Sequence, residues 1–112
     1  MTVRTRRVYD EPADDGFRVL VDRLWPRGLT KDRARVDLWL KDVAPTTELR
    51  RAFHHDGLAF DEFARRYRAE LADNPAMGTL RELVAEHDTV TLVYGAHDPD
   101  HNQATILRDL LA

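Results

Sequence analysis

The chain has 112 residues, no cysteine and a formal net charge of −3 at pH 7, with 43% apolar and 33% charged residues. This composition is typical of one globular domain, expected over residues 1–112, and argues against disorder. The lack of cysteine excludes disulfide scaffolds, thiolate zinc sites and cysteine nucleophiles, and it favours a reducing compartment, so we expect a cytoplasmic protein. Neither a membrane-spanning apolar run nor a signal peptide is present, and the acidic charge argues against nucleic acid as the main partner.

The first forty residues predict three strands. A weak strand is expected around Thr5–Tyr9. Residues 17–25 predict a stronger one, because the unbroken Val19-Leu20-Val21 is typical of a strand buried on both faces. A half-buried third strand is expected where apolar residues alternate, at Val36, Leu38 and Leu40.

The rest of the chain alternates predicted helices with one more strand. A helical turn begins at Thr46, and a longer amphipathic helix has Asp61 in its first turn and ends at Asn74-Pro75. A further helix follows from Met77 to His87, then a second buried strand at 89–95. The last helix is marked by Ala104, Leu107, Leu110 and Leu111. Helices between buried strands predict an α/β fold, with a small mainly parallel sheet of three to four strands and helices on both faces.

Polar residues follow both buried strands. The segment Asp22–Gly28 leaves the first, and Tyr94–Asp98 leaves the second. In a parallel sheet these ends meet at one edge, where ligand sites form. We therefore predict that the two strands are parallel neighbours inside the sheet. The side chains expected to converge on one cleft there are Arg23, Arg27, Asp98 and Asn102.

The ten residues Val19–Gly28 form a specific block, and further matching residues follow at intervals. They are Asp37, Trp39, Lys41, Ala44–Thr46, Glu48–Arg50, Phe53, His55-Asp56, Phe63, Tyr67, Leu71, Thr91–Tyr94, Asp98 and His101-Asn102. In these blocks the chain resembles the YeaO-like family, a bacterial domain of unknown function (DUF488). The resemblance implies a compact α/β fold and no established activity. Two positions depart from the family: Phe60, where Trp is usual, and His97, where Lys or Arg is usual.

Three arginines are candidates for binding an anion. Arg23 ends a buried strand, where an unpaired charge is costly, so it either holds an anionic ligand or pairs with a carboxylate such as Asp56 or Asp98. Arg27 by itself is typical of a solvated turn, but its nearness to Arg23 favours the anion. Arg50 is the third candidate, and Asn102 completes the predicted ligand-binding set.

The candidates for proton transfer or ligand orientation are His55, Asp98 and Tyr94. Asp98 followed by Pro99 is also an ordinary start of a helix, and we favour that structural role. Tyr94 ends a buried strand and needs a partner for its hydroxyl. The histidines at 54, 55, 97 and 101 lack a diagnostic metal-binding spacing, so neither a metal nor a cofactor is predicted.

These observations predict a protein that binds a small anionic molecule at the carboxyl end of its sheet. Two alternatives stay open. One is a nucleotide- or nucleic-acid-binding regulatory module that uses the many arginines, and the other is a metal-dependent hydrolase that uses the histidines. The sequence does not determine whether the protein is an enzyme, which substrate it takes, or its oligomeric state.

Overall fold

A computed structural model describes residues 2–112 and contains four strands: β1 (Thr2–Arg7), β2 (Phe17–Leu20), β3 (Leu38–Trp39) and β4 (Thr89–Tyr94). They form one sheet in the order β1-β4-β2-β3, and every neighbouring pair is parallel. The two strands with continuous apolar runs, β2 and β4, are adjacent and lie inside the sheet. Both the predicted fold class and this predicted pairing are confirmed.

Helices cover the two faces of the sheet unequally. They are α1 (Lys31–Ala34), α2 (Thr47–His54), α3 (Phe60–Ala72), α4 (Ala76–Glu86) and α5 (Gln103–Leu111), with a 3-10 helix at Lys41–Val43. The four longer helices bury their apolar sides in one large core with Val19, Val21 and Leu92. The single turn α1 contributes Ala34 to a smaller core on the other face. In the part of the chain that the structure describes, no helix is long and apolar enough to span a membrane.

Side-chain caps fix the start of two helices. Thr46 accepts a hydrogen bond from the Leu49 N–H at 3.2 Å at the start of α2, and Asn102 accepts one from the Thr105 N–H at 3.2 Å at the start of α5. The predicted start of the last helix at Asp98 is therefore wrong. Asp98 instead closes a turn before α5, where its carboxylate accepts the N–H groups of Asp100 and His101.

The first buried strand is shorter than predicted and ends at Leu20 rather than near residue 25. The Val21 N–H still donates to the Val93 carbonyl at 3.1 Å, but the following residues turn out of the sheet. Trp25 stabilises that turn, because its indole N–H donates to the Leu29 carbonyl at 2.7 Å. The apolar residues after Leu20 thus pack in a loop rather than in a strand, and this loop forms part of the site described below.

The smaller face of the sheet contains a buried ion cluster. Arg18 and Asp15, which are 4% and 3% exposed, form a salt bridge, and Asp15 also accepts the Arg6 Nε at 3.0 Å. Burial acts to raise the pKa of Asp15, but the hydrogen bonds from Arg6 and Arg18 outweigh it and lower that pKa. Arg18 further donates to the carbonyls of Ala34 and Arg35. The cluster therefore fixes α1 against the sheet and uses two arginines in the scaffold.

Gly16 permits a close approach of the chain to the start of β4. Its φ is +64°, and a Cβ at this position would lie 2.3 Å from the Thr89 carbonyl oxygen. We expect Gly16→Ala to lower the free energy of unfolding by about 3 kcal/mol, because backbone atoms cannot move aside as a flexible side chain can. Urea denaturation measures this change.

Gly57→Ala is the matched control, since Gly57 also has a positive φ, +75°, but nothing within 4 Å of the added Cβ. It should lose only about 1 kcal/mol, the cost of the left-handed backbone alone. Equal losses in the two variants would contradict the close approach at Thr89.

Candidate functional site

The chain leaves the carboxyl ends of the two central strands in opposite directions. After β2 it continues to β3, on the side of β2 away from β4, whereas after β4 it continues to α5, which packs on β1 and β4. Adjacent parallel strands whose connections diverge in this way leave a crevice between them, and ligands of open α/β sheets bind in such crevices.

A cleft of about 400 Å³ lies at this point. The segments that follow the two strands, 22–27 and 95–96, form two of its sides. The remaining lining residues come from elsewhere in the chain: Tyr9, Ala44, Pro45, Arg50, His54, His55 and Gln103. The volume lies within the range, roughly 300–1,000 Å³, of pockets that hold small molecules.

Asp22 joins the two sides of the cleft. One oxygen of its carboxylate accepts the Gly95 N–H at 2.8 Å, and the other accepts the side-chain amide of Gln103 at the start of α5. A Cβ on Gly95 would lie 2.9 Å from the same carboxylate, so glycine permits this contact. The carboxylate therefore fixes the position of α5 relative to the end of β2.

Burial raises the pKa of Asp22 to about 6. Three effects oppose the shift without cancelling it: the hydrogen bond from Gly95, the hydrogen bond from Gln103 and the positive charge of Arg50. Asp22 consequently changes its charge near neutral pH, within a cleft whose lining also includes three arginines and two histidines.

Three arginines line the cleft: Arg23, Arg27 and Arg50. Across residues 2–112, none of them forms a salt bridge with a carboxylate. Arg23 instead donates from Nε to the Pro45 carbonyl at 3.1 Å and from Nη2 to the Ala44 carbonyl at 3.2 Å. The ion pair of Arg23 with Asp56 or Asp98, which was the structural alternative, is therefore not formed.

His54 and His55 lie at the end of α2 and complete the basic side of the cleft. Partial desolvation, together with the positive charges of Arg50 and His55, lowers the pKa of His54. A neutral His54 imidazole offers one donor and one acceptor at pH 7. In residues 2–112, no group of three or more histidine or carboxylate side chains is placed to hold a metal ion.

The structure brings together four of the seven site residues predicted from the sequence, namely Arg23, Arg27, Arg50 and His55. The lining, as drawn from the described residues, does not include Tyr94, Asp98 or Asn102. Asn102 caps α5 and donates to the Asp98 carbonyl at 2.8 Å, while Asp98 itself is exposed. Tyr94 is buried in the core, and this burial raises the pKa of its hydroxyl.

Most of the lining residues were not predicted as site residues, among them Asp22, Gln103 and Tyr9. For Asp22 a signal existed, because it is a carboxylate directly after an apolar run that must be buried. Gln103 and Tyr9 carry no such signal. They reach the cleft only because α5 and the end of β1 pack beside β4.

A family model described as "Inactive DUF488-N3 subclade" matches residues 2–112. The chain belongs to the DUF488 family. Among the relatives of this DUF488 chain, the uncharacterized protein Rv3073c of Mycobacterium tuberculosis is 48% identical over 110 residues, which cover 97% of this chain and 92% of that protein. The uncharacterized protein YeaO of Escherichia coli is 42% identical over 113 residues, which cover 99% and 97%. The resemblance to the YeaO-like family is thus confirmed. No solved structure matches the chain.

Replacing Asp22 in this DUF488 protein should change how stability depends on pH. A raised folded-state pKa means that Asp22 favours the folded state when protonated, and this contribution is lost as the pH rises through about 6. An asparagine at this position would keep both hydrogen bonds, provided that the Gln103 amide rotates, and would carry no charge. Between pH 5 and pH 7.5 we expect Asp22→Asn to gain about 1–2 kcal/mol of unfolding free energy relative to the wild type.

Denaturant unfolding of both proteins at the two pH values measures this difference, in which the titration of all other groups cancels. Asp56→Asn, at an exposed position beyond α2, serves as the control and should show no such difference. A pH-independent difference for Asp22→Asn would mean that Asp22 does not titrate near 6.

Proposed function

We propose that this protein binds a small anionic molecule in the cleft at the carboxyl end of its sheet. The observation that carries the proposal is the charge of the lining. Arg23, Arg27 and Arg50 line the cleft, and among the described lining residues Asp22 is the one with a carboxylate. The chain as a whole has a net charge of −3, so this positive site is local. A guanidinium with no carboxylate partner is a strong hydrogen-bond donor to phosphate and carboxylate groups.

The three arginines differ in how firmly they are held. Two backbone carbonyls hold the Arg23 guanidinium, so further N–H groups of its five have a fixed direction and little entropy to lose on binding. Arg50 is partly buried on α2, and its charge acts on both Asp22 and His54. Arg27 is exposed in the turn beyond Trp25. Arg23 and Arg50 are therefore the main ligands of the anion, and Arg27 is an outer one.

Binding without turnover has more support than catalysis. Among the described residues that line the cleft there is no serine, threonine, cysteine or lysine, and neither Tyr9 nor Asp22 is hydrogen-bonded to a histidine that could activate it as a nucleophile. His55 and Asp22 are the groups that could orient a ligand or accept a proton from it. The matching subclade is described as inactive, which agrees with a binding role. The expected location of this protein is the cytoplasm, where phosphorylated and carboxylated metabolites are plentiful.

The nucleic-acid alternative has less support. A binding stripe needs arginines that are free and on one face. Arg6 and Arg18 are instead paired with Asp15 behind the sheet, and Arg65 and Arg66 are paired with Glu62 on α3. The metal-dependent alternative lacks a set of ligands among the described residues.

Inorganic phosphate is the simplest probe of the cleft. Because a ligand that binds the folded state stabilises it, we expect 10 mM phosphate to raise the melting temperature of the wild type by about 3–5 °C at constant ionic strength. Arg50→Gln should remove most of this shift. Arg50 is the better position to change, since Arg23 also holds the backbone at Ala44 and Pro45.

Arg51→Gln is the matched control, because it removes the same charge from the adjacent, exposed position of α2, outside the cleft. This variant should retain the phosphate shift. An identical loss in both variants would indicate general electrostatics rather than a site, and the absence of any shift in the wild type would refute phosphate binding.

A further inference from the structure

We infer that the anion recognised here is attached to a flat aromatic ring, so that the ligand class is an aromatic or heteroaromatic phosphate or carboxylate about the size of a nucleoside monophosphate. This inference rests on the proposed function and specifies its ligand. It follows from the large uncharged side chains of the lining, namely Tyr9, Leu24 and Trp25.

Large apolar side chains are exposed at three positions within residues 2–112: Tyr9 at 40%, Leu24 at 60% and Trp39 at 36%. Two of the three, Tyr9 and Leu24, line the same cleft as the arginines. Apolar side chains that are exposed next to one another indicate a binding site, whereas single exposed apolar side chains are common on any protein surface. An inorganic anion has no apolar surface with which to cover these side chains.

The Tyr9 ring is held in place before any ligand binds. Its hydroxyl donates to the Arg27 carbonyl at 2.9 Å, and the guanidinium of Arg7 lies 4.7 Å from its centroid. Arg7 is itself fixed, because its Nε donates to the Ala96 carbonyl at 3.1 Å and its Nη2 lies 3.1 Å from Nδ1 of His97. Because its hydroxyl is hydrogen-bonded and a guanidinium lies over the ring, Tyr9 loses little entropy when a second ring packs on it.

The apolar and basic parts of the lining come from three segments of the chain. Tyr9 follows β1, and Leu24 and Trp25 follow β2 in the same loop as two of the three arginines, whereas Arg50 lies on α2. Trp25 is further supported by Trp39, at a centroid distance of 5.5 Å in an edge-to-face arrangement. A ligand that carries both a ring and an anion, as nucleoside monophosphates and aryl phosphates do, can therefore cover the apolar side chains while its anion contacts the arginines.

The test compares ligands that share a phosphate and differ in the ring. The probes are ribose 5-phosphate, adenosine 5′-monophosphate, uridine 5′-monophosphate and phenyl phosphate, each titrated calorimetrically into the full chain at pH 7.5. We expect at least one ring-bearing phosphate to bind about tenfold or more tightly than ribose 5-phosphate, since stacking on one aromatic side chain provides a gain of this order. Comparison of the nucleotides with phenyl phosphate shows whether a nucleobase or a simple aromatic ring is preferred.

Variants of the apolar side chains and of Arg50 separate the contribution of the ring to the affinity from that of the phosphate. Tyr9→Ala should reduce the ratio of the ring-bearing to the ribose 5-phosphate affinity to within about twofold of unity, whereas Tyr9→Phe, which keeps the ring and loses only the hydrogen bond to the Arg27 carbonyl, should retain most of it. Leu24→Ser should lower the same ratio, and its 60% exposed side chain makes it a safe second variant if Tyr9→Ala folds poorly. Arg50→Gln should weaken all of the phosphates in parallel and leave the ratio unchanged.

Three results would count against the inference, and each has a different meaning. If all four phosphates bind with similar affinity and Arg50→Gln weakens them all, the anion site stands and the ring inference is wrong. If none of the four binds, the proposed function fails and the inference fails with it. A ring preference that survives both Tyr9→Ala and Leu24→Ser would also overturn the inference, because the ring would then bind elsewhere.

Discussion

The carboxylate of Asp22 connects three parts of the molecule that are distant in sequence. It lies just after β2, accepts the backbone N–H that follows β4 at 2.8 Å, and accepts the amide of Gln103 at the start of α5. Together with the hydrogen bond from the Val21 N–H to the Val93 carbonyl, this contact links two strand ends whose chains diverge. The contact itself is costly at neutral pH, because burial favours the neutral acid. The crevice therefore has a fixed shape, and its charge changes when Asp22 gains or loses a proton.

The arginines of this chain fall into two classes according to what compensates their charge. Arg18 is almost fully buried and meets Asp15 together with two carbonyls, so its role is to hold α1 and the chain before β2 against the sheet. Arg23 meets carbonyls alone, which accept from two of its N–H groups but leave its charge uncompensated. Arg50 has neither kind of partner within residues 2–112. Charge compensation therefore distinguishes Arg18, which belongs to the scaffold, from Arg23 and Arg50, which are candidate ligands.

The cleft combines this uncompensated charge with apolar surface, and the loop after β2 contributes to both. Because β2 ends at Leu20, the following residues leave the sheet and display Leu24 and Arg27 to the crevice, while Trp25 packs on Trp39. Had the strand continued to residue 25, as its apolar sequence indicated, alternate side chains would have entered the two cores. The early end of one strand is thus what makes the site.

The α/β class, the parallel pairing of β2 with β4 and the position of Arg23 and Arg27 at the carboxyl edge of the sheet could be predicted from the sequence. They follow from apolar periodicity and from the geometry of parallel sheets, which are local or general rules. Arg50 and His55 were also candidates, but their place beside the cleft depends on how α2 packs. Only the tertiary structure decided that Asp98 and Asn102 belong to the turn and cap before α5, that Tyr94 is a core residue, and that Asp22 and Tyr9 face the cleft. The physical reason is that Asp22 meets Gly95 and Gln103 across 73 and 81 residues. Contacts at such separations depend on how every intervening element packs, and no local pattern records them.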